Sequence, residues 1–131
     1  MATRILVIDD SPTVSNTVGW ILNDYGYEVH MAPDGLSALS NIHMFKPDLV
    51  LLDIKLPHVD GVKLCEMLRN HAAYASLPII MLSGLSTQAD IDRALEAGAN
   101  NYIVKPINDE RLIAIIKQEL SNSSVHPSAA G

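Results

Sequence analysis

Five short apolar runs alternate along the chain with five longer segments in which apolar residues recur every three or four positions. The runs are Ile5-Leu6-Val7-Ile8, Tyr27-Glu28-Val29-His30-Met31, Leu49 to Leu52, Ile79-Ile80-Met81-Leu82 and Tyr102-Ile103-Val104. The first, third and fourth are almost continuously apolar, which suits strands covered on both faces. The second is the weakest. Between them, Val14, Val18, Ile21, Leu22 and Tyr25 mark one face of a first helix, entered through Ser11 and Pro12 and left at Gly26. Leu36, Leu39, Ile42 and His43 mark a second helix. Leu64, Cys65 and Leu68 mark a third, after Gly61. A fourth starts at Thr87, which can cap it with Asp90, carries Ile91, Ala94 and Leu95, and stops before Gly98. A fifth runs from about Asn108 with Leu112, Ile115, Ile116 and Leu120 inward.

Strict alternation of strand and helix with short connections implies right-handed crossovers and a parallel sheet with helices on both faces. Five strands are too few for a closed eight-stranded barrel. The expectation is therefore an α/β, doubly wound, five-stranded parallel sheet with five helices, in the flavodoxin-like order 2-1-3-4-5. The closing stretch "SNSSVHPSAAG" has neither periodicity nor much apolar content. Residues 1–120 are expected to form the domain, and residues 121–131 a disordered tail or the start of a linker.

Composition narrows the function. The 131 residues are 48% hydrophobic and 18% charged, with a net charge of -6. A chain with no positive surplus is poorly suited to neutralising nucleic-acid phosphates, so direct DNA binding is not expected. A single cysteine, Cys65, makes no internal disulfide, and no run reaches the length of a membrane span or signal-peptide core. A soluble, cytoplasmic protein with no membrane contact is expected.

In an open α/β sheet the ligand crevice lies outside the carboxyl ends of the strands. The first strand here ends in Asp9-Asp10, the third in Asp53, the fourth in Ser83-Gly84 and the fifth in Lys105-Pro106. Three carboxylates, a hydroxyl and an ammonium would converge on one rim. Clustered acids repel and are costly to keep ionised when partly buried, unless a cation joins them. An oxygen-only donor set suits Mg2+ better than zinc. A metal beside a carboxylate, with a lysine and a hydroxyl opposite, suits phosphoryl transfer onto aspartate.

On these residues, with Pro57 and Gly61 in "DIKLPHVDG" and Tyr102 three positions before Lys105, the chain from about Thr3 to Leu120 resembles the receiver domain of two-component response regulators. The resemblance implies that Asp53 is the phosphoacceptor, taking its phosphoryl group from a phosphohistidine on a sensor histidine kinase or histidine phosphotransfer protein. Asp10, Asp53 and the backbone carbonyl of Lys55 would bind Mg2+, with Asp9 acting through water. Lys105 would pair with phosphoryl oxygens, and Ser83 and Tyr102 would be the switch pair. A cis peptide bond before Pro106 is also implied. Lys55 and Leu85, each two positions beyond a site residue, would tune phosphoryl lifetime, and Leu85 offers no polar group to orient water.

The expected activity is confined to the protein's own phosphorylation and dephosphorylation. The switched surface is the fourth helix, fifth strand and fifth helix, controlling a separate protein target, with the chain a monomer or a phosphorylation-dependent dimer. Two alternatives stand beside this: a receiver excised from a regulator with a C-terminal output domain, and a receiver-like interaction module that is never phosphorylated. A phosphatase with Asp-x-Asp, or a dinucleotide enzyme with G-x-G-x-x-G, after its first strand is disfavoured by Asp9-Asp10-Ser11-Pro12.

Other conspicuous residues have plainer readings. His30, His43, His58, His71 and His126 lie at no ligand spacing and read as surface or satisfied polar residues. Cys65 reads as a small buried hydrophobe. Trp20 falls off the apolar stripe of the first helix and is expected on the surface.

Overall fold

The structure, a computed structural model, describes the backbone of residues 2–128 and the side chains of residues 2–123. Strands β1 (Arg4–Ile8), β2 (Glu28–Ala32), β3 (Leu49–Leu52), β4 (Ile79–Ser83) and β5 (Asn101–Val104) pair in parallel in the order β2-β1-β3-β4-β5. They alternate with α1 (Pro12–Asp24), α2 (Gly35–Phe45), α3 (Gly61–Arg69), α4 (Gln88–Glu96) and α5 (Asp109–Ser128). This is the flavodoxin-like arrangement expected from the alternating pattern.

Side chains alternate across the sheet with the two-residue period of a strand, which splits the core into two layers. Leu6, Ile8, Val50, Leu52, Ile79, Met81 and Tyr102 pack with Ala38, Ile42, Leu64, Cys65, Leu68 and Ala94 from α2, α3 and α4. Ile5, Val7, Leu49, Leu51, Ile80, Leu82 and Ile103 pack with Val18, Leu22, Leu112, Ile113 and Ile116 from α1 and α5. All four residues of β3 and all five of β4 are buried, so these strands read as unbroken apolar runs. Truncating a side chain such as Leu68 to alanine here costs about 2–5 kcal/mol.

The helices start on side-chain caps. Ser11, Asp34, Asp60 and Thr87 accept backbone N–H groups in the first turns of α1 to α4. The Thr87 hydroxyl also donates to the Asp90 carboxylate at 2.7 Å. Gly26 and Gly98 take the left-handed conformation just past α1 and α4, with φ of 88° and 111°.

Several expectations change. Leu36, Leu39 and His43 lie outward, since α2 buries Gly35, Ala38 and Ile42 instead, and Tyr25 at the end of α1 and Leu95 in α4 are exposed at the edges of their helix faces. Small residues there let the helix sit close to the sheet, and this face is rotated from the one its largest side chains suggest. A 3-10 turn at Ala72–Tyr74, capped by the His71 ring, interrupts the α3–β4 connection, where no apolar period marks it. Helix α5 continues to Ser128, past the expected end at Leu120. Leu120 still packs against the core whereas Ser121 and Asn122 are exposed, so the added turns carry no apolar period to reveal them.

Candidate functional site

Sheet register places the site. Ile8 lies opposite both Ala32 and Leu52, and the ladder runs one step further: Asp9 N–H donates to Ala32 O at 3.1 Å and Asp53 N–H to Ile8 O at 2.9 Å. Asp9 and Asp53 therefore leave neighbouring strands side by side at the carboxyl edge. Across the sheet, Lys105 N–H donates to Ser83 O at 2.8 Å, which fixes the end of β5 beside the end of β4. The Lys105-Pro106 peptide bond is cis.

Oxygens of Asp9, Asp10 and Asp53 all lie within 4.8 Å of one another. Asp9 and Asp53 are buried and Asp10 is exposed. Lys105 reaches in from the opposite wall, its Nζ 3.0 Å from Asp9 Oδ2 and 3.4 Å from Asp53 Oδ2. Burial and then the charge of Asp9 hold the Asp53 carboxyl above the usual carboxylate range, against the pull of Lys105. For Lys105, burial opposes the charge, but the hydrogen bond to Asp9 and the charges of Asp53 and Asp9 outweigh it, and its pKa is raised. One ammonium thus serves two buried carboxylates and leaves the ionised form of Asp53 disfavoured. A donor set made only of carboxylate oxygens, with that unspent negative charge, fits a hard divalent cation such as Mg2+.

A crater of about 320 Å³ opens over this cluster, lined by Asp53, Lys55, Ser83, Gly84, Leu85 and Lys105. Ser83 is buried, and its Oγ accepts the Leu85 N–H at 3.2 Å. Tyr102 is also buried, and its hydroxyl donates to Leu85 O at 2.7 Å, tying β5 to the loop after β4. Burial raises the Tyr102 pKa, partly offset by the Ser83 hydroxyl beside it. Behind Asp53 lies Gly61, where a Cβ would fall on the Asp53 carbonyl oxygen and 2.7 Å from Ile54 Cα. Gly61 N–H donates to Ile54 O at 2.7 Å. Only a residue without a side chain lets α3 begin this close to the end of β3.

The structure thus gathers every residue singled out in the sequence: Asp9, Asp10, Asp53, Lys55, Ser83, Leu85, Tyr102 and Lys105. The histidines stay apart from it, except that His58 lines a second groove beside the crater. His30 bonds Asn41 and packs on Phe45, and His71 caps its turn. The side chain of His126 lies outside the described residues. Cys65 is fully buried, and burial raises its thiol pKa. Trp20 is 73% exposed. One residue the sequence reading passed over is Arg93, which lines the second groove from α4. Among the alternating charges of "QADIDRALE" nothing distinguishes it from an ordinary solvated arginine.

Comparison with known proteins decides the family. The model of the response regulator receiver domain matches residues 5–117, nearly the whole domain. This chain belongs to that family. The receiver is 36% identical over 97% of its length to the DNA-binding dual master transcriptional regulator RpaA of Synechocystis, of which it covers 53%. It spans about half the length of the curated relatives it matches. Among solved structures, a response regulator from Chloroflexus aurantiacus superposes with a TM-score of 0.89 at 35% identity, covering 92% of this chain and 99% of that one. A receiver domain protein from Methanospirillum hungatei gives 0.89 at 32% identity, covering 96% and 99%. Among the described residues of the receiver, no helix is long and apolar enough to cross a membrane.

Proposed function

We propose that this receiver accepts a phosphoryl group on Asp53 from a phosphohistidine of a sensor histidine kinase or histidine phosphotransfer protein. The altered surface of α4, β5 and α5 then controls a protein target. The observation that carries this reading is the placement of Asp53 at the floor of an open crater, between Lys105 and the Asp9–Asp10 pair. An Asp53 carboxylate oxygen attacks phosphorus, the N–P bond of the donor breaks, and the imidazole leaves with the electron pair and takes a proton from solvent. The product is an acyl phosphate, which water later cleaves back to the carboxylate.

Each residue of the chain has a part. Lys105 holds Asp53 oriented before transfer and pairs with a phosphoryl oxygen after it. Asp10, Asp53 and the Lys55 carbonyl, with Asp9 through water, would hold Mg2+, which supplies charge neutralisation for the transferring oxygens. The Ser83 hydroxyl exchanges the Leu85 N–H for a phosphoryl oxygen. That exchange loosens the loop whose Leu85 carbonyl holds the Tyr102 hydroxyl. The added charge of about -1.5 to -2 is enough to bias such a two-state element. Lys55 and Leu85 form the crater rim, and the apolar Leu85 leaves water there without an orienting partner, which favours a long-lived phosphoryl state. The chain acts on no separate substrate, works in the cytoplasm, and is a monomer or a phosphorylation-dependent dimer.

Coverage of only about half of the curated relatives supports a second reading, in which this receiver governs an output domain joined to it. With a charge of -6, the receiver itself is suited to protein partners, and any DNA contact falls to that other domain. The deciding experiment for both is incubation with acetyl phosphate and Mg2+, followed by intact mass. Gain of one phosphoryl by the wild type and none by Asp53→Asn is expected. No gain in either would leave only a phosphorylation-independent interaction module.

A further inference from the structure

Beside the acceptor crater runs a groove of about 700 Å³, lined by Asp10, by the β3–α3 loop from Ile54 to Asp60, by Leu85 and by Arg93. The two depressions share Lys55 and Leu85, which form the sill between them. Arg93 is the one residue by which α4 reaches this space. It is exposed, and among the described residues its guanidinium makes no hydrogen bond or ion pair. At the Tyr102 hydroxyl, where burial dominates, the positive charge of Arg93 acts weakly against the negative charges of Asp90 and Asp53. Arg93 therefore stands within electrostatic reach of the switch tyrosine with no partner holding it.

The helix that carries Arg93 is lightly anchored. Ala94 is the only fully buried residue of α4, with Ile91 half-buried beside it, whereas α3 buries Gly61, Val62, Leu64, Cys65 and Leu68. An element held by so little apolar contact sits at the low end of local stability and yields to a modest force. A phosphoryl group in the crater supplies one, since it adds negative charge and acceptor oxygens that a planar guanidinium recognises in paired fashion.

We propose that Arg93 is the positioning residue through which α4 senses the phosphoryl group: its unpartnered guanidinium swings over the Lys55–Leu85 sill toward the new anion and draws α4 onto the β3–α3 loop. This deepens the phosphoacceptor reading and rests on it. Lys105 reports the charge to β5, and Arg93 reports it independently to α4. The groove narrows as the crater fills, so the surface presented by α4 changes even where the Ser83–Tyr102 exchange is blocked.

The test is hydrogen exchange of the α4 amides, with and without beryllofluoride and Mg2+, on the whole chain and its Arg93→Gln and Arg93→Lys variants. In the wild type, beryllofluoride slows exchange across Asp92 to Ala97. In Arg93→Gln that protection falls by about two- to fivefold, as expected for loss of one partly exposed charge pair. Arg93→Lys restores part of it, and 1 M salt erodes it in the wild type but not in Arg93→Gln. A structural role for Arg93 would instead shift the basal exchange of α4 equally with and without beryllofluoride. Equal beryllofluoride-induced protection in wild type and Arg93→Gln overturns the inference. Failure of the receiver reading looks different: acetyl phosphate then adds no phosphoryl by intact mass, and Ser83 to Leu85 show no change in any variant.

Discussion

Without a divalent cation, the Asp9–Asp10–Asp53 cluster should work against the fold, and replacing its Asp53 carboxylate should stabilise the protein. Asp53→Asn keeps the size of the side chain and removes its charge. The Asp53 and Asp9 side chains are 8% and 2% exposed, with carboxylate oxygens no more than 4.8 Å apart. At an effective dielectric of about 20, repulsion at that distance is about 3.5 kcal/mol, and attraction between Lys105 and Asp53 at 3.4 Å is about 5 kcal/mol. Burying the Asp53 charge costs several kcal/mol more, and Lys105 keeps its closer partner, Asp9, in the variant. The sum is a gain of about 1–3 kcal/mol for Asp53→Asn, or roughly 3–5 °C in Tm per kcal/mol at this chain length.

The assay is thermal and urea unfolding of both proteins in EDTA at neutral pH. Because the folded-state pKa of Asp53 is raised, the folded protein favours its neutral form. That stability is present below the ordinary carboxylate pKa of about 4 and is lost as pH rises through the folded value. The advantage of Asp53→Asn is therefore full near pH 7 and closes as pH falls toward 4. Mg2+ should shrink it too, stabilising the wild type by about 2.7 kcal/mol at a hundredfold excess over Kd and the variant by less. A variant equal to or less stable than the wild type in EDTA at pH 7 would refute the account of the site as an unspent negative cluster.

Gly61→Ala puts a methyl against the backbone of Asp53 and Ile54 and should destabilise by about 2–4 kcal/mol in urea unfolding, because backbone cannot yield as a side chain can. Tyr102→Phe removes the hydrogen bond to Leu85 O; a loss of about 0.5–1.5 kcal/mol is expected, with faster amide exchange in residues 84–87 and little change elsewhere. The Cys65 thiol is buried and its pKa raised, so a thiol-reactive chromogenic disulfide at pH 8 should label it only at the rate of unfolding, and rapid labelling of native protein would contradict the packing. Leu85→Glu, which places a carboxylate at the crater rim, should shorten phosphoryl lifetime, followed as phosphate release after chelation of Mg2+ and removal of donor.

What the sequence made legible follows the strength of the underlying physics. Leu49 to Leu52 and Ile79 to Leu82 are buried on both faces, so their continuous apolarity located β3 and β4 to within a residue. Parallel register then forced Asp9 and Asp53 together, which is why an acid at the end of an apolar run could be read as chemistry. Helix α2 was misjudged in its facing, because close packing selects Gly35 and Ala38, which carry almost no hydrophobic signal, and leaves Leu36 66% exposed. Arg93 was invisible for a related reason. The role proposed for it rests on which groove it borders and on its having, among the described residues, no partner there, and neither property is encoded by local pattern.

The two helices beside the site differ in how they are held, and this gives the switch a direction. Arg69 at the end of α3 donates to Gly98 O at 2.8 Å, to Tyr74 O at 3.0 Å and to Asn100 Oδ1 at 2.7 Å. Asn100 Oδ1 also accepts the Ile79 N–H at the start of β4, at 2.8 Å. The turn after α4 is thereby fastened to α3 and to the sheet. The other end of α4 has the Thr87 cap, the half-buried Ile91 and the loop from Gly84, which Ser83 and Tyr102 hold through Leu85. On the proposed switch, a displacement begun at Ser83 would enter α4 at its less tethered end and be resisted at the other, so the helix would pivot about the Gly98 turn instead of sliding along the sheet. Arg93 lies little more than one turn from that pivot and borders the groove, so the proposed pull on its guanidinium and release of the Leu85 loop would act on the same rotation. On the proposed phosphorylation, charge arriving on Asp53 would have two routes into one motion, both acting at the edge of the core layer to which Ala94 and Tyr102 belong.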